Sequence, residues 1–259
     1  MSRIAEAFDH GKAFVGFVTG GDPSLEKTRE FVLAMAEAGC DLIEIGVPFS
    51  DPIAEGPVIQ EANLRALAAG TTVDALFGLV ADLRGVDSLE APLVFLTYLN
   101  PVYHYGYEAF FTRAAQVGLD GIIIPDLPFE EQGELKPVAR AHGVDVISLI
   151  APTSDERARA IAEDADGFVY LVSSMGVTGV RAEIKTDLAA IAARIKAATT
   201  VPVAVGFGIH SPEQAAEIAK TCDGVIVGSA IVKIVAEHSA AAAPHIAAYV
   251  REMKDAIRF

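Results

Sequence analysis

A single carboxylate interrupts an apolar segment in the first fifth of the chain. Glu44 lies in the segment LIEIGV (42–47), in which every other residue is apolar or glycine. A buried carboxylate is unfavourable in its charged form, so it either forms an ion pair or has a raised pKa. A raised pKa suits general acid–base catalysis near neutral pH. The sequence pattern leaves both roles open for Glu44.

The loop that follows this segment carries two further carboxylates. It reads PFSDPIAEGP (48–57) and contains Asp51 and Glu55. Its three prolines restrict the backbone, which is typical of a loop that must keep one geometry. Carboxylates in loops are usually solvated, so neither residue by its position alone indicates catalysis.

Two glycine-containing segments near the end of the chain indicate a phosphate site. The first is VGFGI (205–209), which includes Gly208, and the second is VIVGSAIVK (225–233), which includes Gly228 and Ser229. Glycines allow close approach of the backbone, and the start of a helix offers unpaired N–H groups. A third glycine-rich segment, SSMGVTGV (173–180), is consistent either with a mobile lid or with an inert surface loop.

Several other chemistries lack the residues that they need. The lysines fall in helical or loop stretches rather than at strand ends, which argues against Schiff-base catalysis. Only His104 and His210 among the histidines fall in the predicted strand-to-helix loops, and neither has a histidine partner at metal-ligand spacing. Phosphate-loop and nucleophile-elbow motifs do not occur. Acid–base chemistry on a small phosphorylated substrate remains, with no metal and no cofactor in this chain.

Composition excludes several partners. The 259 residues include 20 Lys and Arg against 35 Asp and Glu, a formal charge of −15 that argues against nucleic acid and anionic membranes. No apolar run is long enough for a membrane span, and the first ten residues lack the features of a signal peptide. Cys40 and Cys222 are predicted to be buried thiols in a reducing compartment, so we expect a cytoplasmic protein.

The elements that must position these residues alternate regularly. Apolar, β-branched segments predict strands at 13–19, 41–47, 92–98, 121–125, 144–150, 167–172, 201–205 and 224–227. Most of these strands are followed by a segment whose apolar residues have helical spacing. Examples of such segments are 25–38, 106–117, 130–142, 154–164, 183–198 and 211–222. Eight units of about 32 residues favour a closed (β/α)8 TIM barrel that forms a single domain over residues 1–259. We also expect an extra N-terminal helix and a short phosphate-binding helix after strand eight. A doubly wound sheet is the alternative, but the first strand is followed by TGGDP (19–23), which lacks the G-x-G-x-x-G spacing.

One segment carries a specific family resemblance. LIEIGVPFSDPIAEGPVIQ (42–60) resembles the signature of the tryptophan synthase alpha chain family, and the similarity extends to segments 14–23, 97–103, 124–128, 170–179 and 206–233. The resemblance implies a (β/α)8 barrel that cleaves indole-3-glycerol phosphate to indole and glyceraldehyde 3-phosphate. It also implies a beta chain as partner, in an expected assembly of two alpha and two beta chains. Pyridoxal phosphate is expected only in that beta chain, which receives indole through an internal tunnel.

The resemblance implies roles for individual residues. Glu44 would be the general acid–base that protonates C3 of the indole ring and accepts the proton of the side-chain hydroxyl. Glu55 falls where the family usually has an aspartate that binds the indole N–H, so its extra methylene is a departure. Ser174 also departs, since many members have arginine there. The implied substrate-binding residues are Phe17, Leu96, Tyr98, Tyr170, Thr178, Gly179, Phe207, Gly208, Gly228 and Ser229, and those that would face the beta chain are Asp51, Pro52 and Asn100.

Two alternatives to the alpha subunit of a synthase remain at this point. The first is a stand-alone indole-3-glycerol phosphate lyase that releases free indole. The second is a regulatory alpha subunit whose own catalysis is weakened by Glu55. Another phosphate-binding barrel, such as an isomerase, is disfavoured by the match over residues 42–60.

Overall fold

Eight short parallel strands close into a barrel in the order in which they occur along the chain. The computed structural model describes residues 2–152, 154–172, 188–206 and 208–259. The strands are β1 (Ala13–Thr19), β2 (Leu42–Gly46), β3 (Leu93–Leu96), β4 (Gly121–Ile123), β5 (Asp145–Ile150), β6 (Val169–Val172), β7 (Val203–Gly206) and β8 (Gly224–Val227). Strands β1 and β8 pair with each other and complete the ring, which confirms the predicted barrel.

Helices surround this barrel and alternate with its strands. They are α1 (Arg3–Glu6), α2 (Leu25–Glu37), α3 (Pro57–Ala68), α4 (Val73–Arg84), α5 (Leu99–Tyr105), α6 (Tyr107–Val117), α7 (Lys136–Ala141), α8 (Asp155–Glu163), α9 (Leu188–Ala198), α10 (Pro212–Ala219), α11 (Ser229–His238) and α12 (Ala243–Ala256). The expected N-terminal helix is α1, and the expected helix after strand eight is α11. The predicted helix 130–142 is shorter in the structure, where a 3-10 turn (Phe129–Glu131) precedes α7.

Side chains along each strand point alternately into the barrel and toward the surrounding helices. Val15 faces Leu42 across β1 and β2, and two residues further along Phe17 faces Glu44. Because side chains of a strand alternate between its faces, these two pairs lie on the same face at different heights. The lower interior is apolar and is filled by residues that include Val15, Leu42, Val94, Ile123, Ile147 and Ile226. Glu44 therefore lies above a dry, packed layer.

Helix α1 closes the amino-terminal end of the barrel. Ile4 is fully buried and packs with the apolar residues of the interior. Gly121 lacks a side chain there, and a Cβ at that position would lie 2.9 Å from Cδ1 of Ile4. The opposite, carboxyl-terminal end is the one at which barrels of this type carry their functional loops.

Helix α3 packs over that carboxyl-terminal end. Ile59 and Ala62 of α3 form an apolar cluster with Phe17 of β1 and Val232 of α11. Arg65 of α3 also holds the loop after β1 through a two-point ion pair with the buried Asp22, at 2.8 and 2.7 Å. These contacts fix α3 relative to β1 and α11, and α3 follows directly on the loop that carries Glu55.

The described helices are too short or too polar to serve singly as membrane spans. Only α3 and α4 taken together meet the length and composition criteria, and they are bent by 95° relative to each other.

Candidate active site

A cavity at the carboxyl ends of the strands brings most of the predicted site residues together. It leaves about 660 Å³ free of protein atoms, counting the part that is open to solvent. The cavity is lined by Phe17, Glu44, Ala54, Glu55, Ile59, Leu96, Tyr98, Pro125, Leu149, Tyr170, Gly208, Ile209, Ile226, Gly228 and Ser229.

Glu44 lies in the cavity wall and forms no salt bridge with any described residue. Its side chain is 1% exposed, and its Oε1 atom has no hydrogen-bond partner within the described part of the chain. Burial raises the pKa of this carboxyl group to about 8, because the charged form loses its hydration. Among the described residues Glu44 has no ion-pair partner, and its raised pKa is the alternative that the structure supports. A carboxyl group with this pKa is protonated at neutral pH and can donate a proton to a ligand.

Glu55 contributes a second carboxylate to the same cavity. It is 5% exposed, and Nδ2 of Asn63 donates a hydrogen bond of 2.6 Å to its Oε2. Burial raises the pKa of Glu55 to about 7, while hydrogen bonds from Asn63 and Tyr98 partly offset this effect. Tyr98 is itself held, since the N–H of Ala54 donates to its hydroxyl at 3.1 Å. Glu55 is thus tethered by α3 on one side and by Tyr98 on the other.

Glycines make room for the aromatic rings of the cavity. A Cβ on Gly46 would lie 2.6 Å from the ring of Phe17, and a Cβ on Gly206 would lie 2.3 Å from the Tyr170 hydroxyl. Both rings consequently occupy space that a larger residue on the neighbouring strand would fill. The negative charge of Glu44 also raises the pKa of Tyr170, after the larger effect of burial. The result is an apolar slot that has aromatic rings and a carboxyl group in its lining.

Another part of the lining contains glycines and the start of a helix rather than charged side chains. Gly208 and Gly228 border the cavity, and Ser229 begins α11. Helix α11 is ten residues long, and the residue that precedes it, Gly228, makes no side-chain cap. The first N–H groups of a helix and its positive dipole end favour a phosphate group without any basic residue.

The remaining predicted residues fall into two groups. Thr178, Gly179 and Phe207, together with the predicted lid segment 173–180, lie outside the described residues. Asp51 and Asn100 are exposed and Pro52 is partly exposed, so these three are at the surface. Two large apolar side chains next to them in sequence, Ile53 and Tyr103, are 70% and 68% exposed.

Residue-type reasoning missed Asn63, which holds Glu55. The sequence does contain a signal for it, because Asn63 is a buried polar residue on the same helix face as Ile59, Ala62 and Ala66. A lone amide in an apolar helix stripe needs a buried partner. The cavity-lining residues Ile59, Pro125, Leu149, Ile209 and Ile226 were also missed, since apolar residues at such positions look like ordinary core.

The donor groups of a metal site are not assembled here. Within residues 2–152, 154–172, 188–206 and 208–259, no three His, Cys, Asp or Glu side chains come close enough to hold an ion. The two cysteines are free and buried. The chemistry of the described cavity therefore rests on its two carboxyl groups and its backbone amides.

Comparison with known proteins gives a consistent result over the whole chain. A family model described as tryptophan synthase alpha chain matches residues 5–258. The tryptophan synthase alpha chain of Lactiplantibacillus plantarum is 51% identical over 258 residues, which cover 99% of this chain and 97% of that protein.

Solved structures show the same similarity. Tryptophan synthase subunit alpha from Legionella pneumophila is 38% identical with a TM-score of 0.90, and the match covers 99% of this chain and 98% of that one. A chain of the tryptophan synthase complex from Pyrococcus furiosus is 36% identical with a TM-score of 0.86, covering 95% and 99%.

Proposed function

Because the chain belongs to the tryptophan synthase alpha chain family, we propose that the cavity around Glu44 is its indole-3-glycerol phosphate site. The enzyme is a lyase of tryptophan biosynthesis that cleaves this substrate to indole and glyceraldehyde 3-phosphate. The alpha chain uses no cofactor, and pyridoxal phosphate belongs to the beta chain. The observation that carries the assignment of the site is a buried carboxyl group with a raised pKa that faces an apolar, aromatic cavity.

Glu44 acts as the general acid and then as the general base. In its protonated form it donates a proton to C3 of the indole ring, which removes the aromatic double bond at that carbon. The resulting carboxylate accepts the proton of the hydroxyl group on the adjacent side-chain carbon, and a C=O bond forms there as the C–C bond breaks. The bonding electrons return to the ring and regenerate indole. Proton donation and acceptance balance, so Glu44 ends the cycle protonated.

Glu55 stabilises the ring while C3 is protonated. The ring nitrogen then carries positive charge, and an ionised carboxylate that accepts its N–H hydrogen bond lowers the energy of this state. Asn63 and Tyr98 support the role, because hydrogen bonds to the charged form hold the carboxylate in one place. The extra methylene of Glu55 relative to aspartate makes this support necessary.

The rest of the substrate is held by apolar contacts and by backbone amides. Phe17, Leu96, Tyr98, Tyr170 and Phe207 would enclose the indole ring. The phosphate would accept hydrogen bonds from the amides of Gly179, Gly208, Gly228 and Ser229, with the Ser229 hydroxyl as a further donor. Thr178 would bond to Glu55 from the lid segment. The glycine positions and the start of α11 support the part of this arrangement that involves described residues.

The surface near Asp51, Pro52 and Asn100 is the proposed contact with the beta chain, in an assembly of two alpha and two beta chains. The mostly exposed Ile53, which follows Pro52, and Tyr103, three residues after Asn100, support this, because a partner chain would cover such apolar side chains. The similar chain from Pyrococcus furiosus was solved as part of a tryptophan synthase complex. We further propose that residues 1–259 form one domain and that the protein acts in the cytoplasm.

Indole release from indole-3-glycerol phosphate, measured with and without a beta chain, tests this function. An alpha subunit of a synthase should cleave the substrate and do so faster with the beta chain. Full turnover of the isolated chain would favour a stand-alone lyase. Binding of substrate and activation of the beta chain without cleavage would favour a regulatory subunit.

The role of Glu44 is tested in the same assay with Glu44→Gln. This variant should lose roughly 10²- to 10⁴-fold in cleavage, the usual contribution of general acid–base catalysis, and still bind the substrate. Retention of more than roughly a tenth of the native cleavage rate would refute the assignment. Such a variant would have lost less than about tenfold, which is smaller than the loss expected for a general acid–base.

A further inference from the structure

The loop after β7 is held by hydrogen bonds that converge on His210. The imidazole Nδ1 lies 3.1 Å from the carbonyl oxygen of Gly208, and the backbone N–H of His210 donates to Oε1 of Gln214 at 3.0 Å. The hydroxyl of Tyr249, from α12, donates to the carbonyl oxygen of His210 at 2.9 Å. The ring of His210 thus contacts the loop itself, its N–H contacts α10, and its carbonyl contacts α12.

The contact with Gly208 has a defined direction. A carbonyl oxygen only accepts, so Nδ1 of His210 carries the hydrogen and donates it. Burial raises the pKa of Tyr249, so its hydroxyl also remains a donor. The half-buried His210 is therefore fixed through its backbone by α10 and α12, and its ring in turn holds the Gly208 carbonyl.

The Gly208 backbone needs such support. Its φ of +101° lies in the region that favours glycine, and a glycine without other restraints reaches many conformations. The N–H and the carbonyl of Gly208 are separated only by its own φ and ψ rotations, so holding the carbonyl restrains the direction of the N–H that the proposed phosphate site uses. Both Gly208 and Ile209 border the catalytic cavity, whereas His210 does not line it.

We propose that His210 is a positioning residue that fixes the Gly208 backbone for binding of the substrate's phosphate, anchored for this purpose by Gln214 and Tyr249. The inference rests on the proposed phosphate site and assigns that site its supporting residues. His210 acts on phosphate binding rather than on proton transfer, because its contacts reach the loop and not the carboxyl groups.

A matched pair of variants tests the role of the ring. Asparagine and leucine have nearly the same shape, but the asparagine amide places a donor close to the position of Nδ1 and leucine has none. The assays use the complex of this chain with its beta chain, and measure kcat and KM for indole-3-glycerol phosphate and inhibition by glycerol 3-phosphate.

His210→Leu should raise KM and the inhibition constant about three- to tenfold, equivalent to the net loss of one hydrogen bond, with little change in kcat. His210→Asn should restore values close to native. A native-like KM in His210→Leu, or equal impairment of the two variants, would overturn the proposal.

Tyr249→Phe tests the anchoring of His210 without changing His210 itself, and it serves also when a variant at His210 does not fold. It should raise the inhibition constant of glycerol 3-phosphate, and its effect should not add to that of His210→Leu, because both variants release the same Gly208 backbone. A native inhibition constant in Tyr249→Phe would contradict the anchoring role.

Gly228→Ala separates this inference from the phosphate site itself. If Gly228→Ala weakens inhibition by glycerol 3-phosphate and His210→Leu does not, the phosphate site stands and the positioning role is wrong. If neither variant changes the inhibition constant, the phosphate site is wrong as well.

Discussion

The side-chain amide of Asn63 donates a hydrogen bond of 2.6 Å to the Oε2 of Glu55 inside the cavity. This contact shows how a carboxylate one methylene longer than aspartate is kept in place. Shortening it in Glu55→Asp withdraws the carboxylate from both Asn63 and Tyr98. We therefore expect kcat to fall about 10- to 100-fold, because misplacement by about 1 Å can have an effect of this size. Steady-state cleavage with a beta chain present measures it.

Two further variants control for this interpretation. Glu55→Ala should lower kcat by roughly 10²- to 10³-fold, as loss of a preorganised charge-stabilising group does. In an Asn63→Leu background the additional effect of Glu55→Asp should shrink, since the hydrogen bond is already lost. A higher kcat in Glu55→Asp than in the native enzyme would mean that the loop has not adapted to glutamate.

Glu44 should make the stability of the protein depend on pH. The pKa of this carboxyl group is about 8 in the folded state, against a model-peptide value of 4.5. Between these values the unfolded chain has released the proton and the folded chain has kept it, so stability falls as pH rises from 5 to 8. The loss attributable to this group is on the order of 3 kcal/mol.

Glu44→Gln removes this titration, so its free energy of unfolding should decrease less over the same pH range. Urea unfolding of both proteins at pH 5 and pH 8 measures the difference. Identical pH dependence in the two proteins would show that Glu44 is not buried as an uncharged acid.

The rate of cleavage should have a bell-shaped pH dependence. The proposed chemistry needs Glu44 protonated, with a pKa of about 8, and Glu55 ionised, with a pKa of about 7. kcat/KM should fall above the first value, where the acid is lost, and below the second, where the carboxylate is protonated. Because the two groups share one cavity, the limits belong to the pair rather than to either residue alone. Glu55→Gln should abolish the acidic limb, and persistence of that limb would assign it to another group.

Gly228 offers the cleanest test of the phosphate site. Its φ of −115° is open to other residues, and an added Cβ would make only ordinary contact with Phe17 at 3.5 Å. Gly228→Ala should fold normally, but its methyl group borders the cavity, so KM should rise about tenfold or more. At Gly208 the φ of +101° would strain any other residue, so a change in KM there could come from a distorted backbone rather than from lost phosphate contacts. Gly78→Ala is a matched control, because its methyl group meets nothing within 4 Å. An unchanged KM in Gly228→Ala would place the phosphate elsewhere.

The barrel was predictable because its signals are local. The segments 13–19 and 224–227 coincide with β1 and β8, since a strand buried on both faces must be continuously apolar. Boundaries were less predictable where an extended chain leaves the sheet. Strand β3 ends at Leu96, and Tyr98 precedes α5, although the segment 92–98 is apolar throughout apart from Thr97. Extended conformation and strand pairing are different properties, and only the second depends on the neighbouring strand.

The candidate site was predictable to the extent that its residues stand out chemically. Glu44 is the only charged residue in its strand, and the glycines of the two last loops are visible as a pattern. Asn63 and Gly206 were missed because their roles depend on which residue the fold places opposite them. Asn63 meets Glu55 eight residues away only because α3 folds back over the cavity, and Gly206 meets Tyr170 only because β6 and β7 are neighbours.

Gly206 leaves room for the ring of Tyr170 on the neighbouring strand. A Cβ at this position would lie 2.3 Å from the hydroxyl and 2.7 Å from two ring carbons of Tyr170, so Gly206→Ala must displace the ring. Tyr170 is buried and close enough to Glu44 for the charge of that carboxylate to raise the pKa of the phenol. A displaced ring therefore either enters the indole slot or moves toward the acid, and kcat/KM should fall about 10- to 100-fold.

Gly206→Ala combined with Tyr170→Leu, whose shorter side chain ends before the added methyl group, should recover a part of the loss. A native kcat/KM in the single variant would mean that the ring of Tyr170 does not shape the site. The indole would then bind elsewhere than in the apolar slot beside Tyr170 and Glu44.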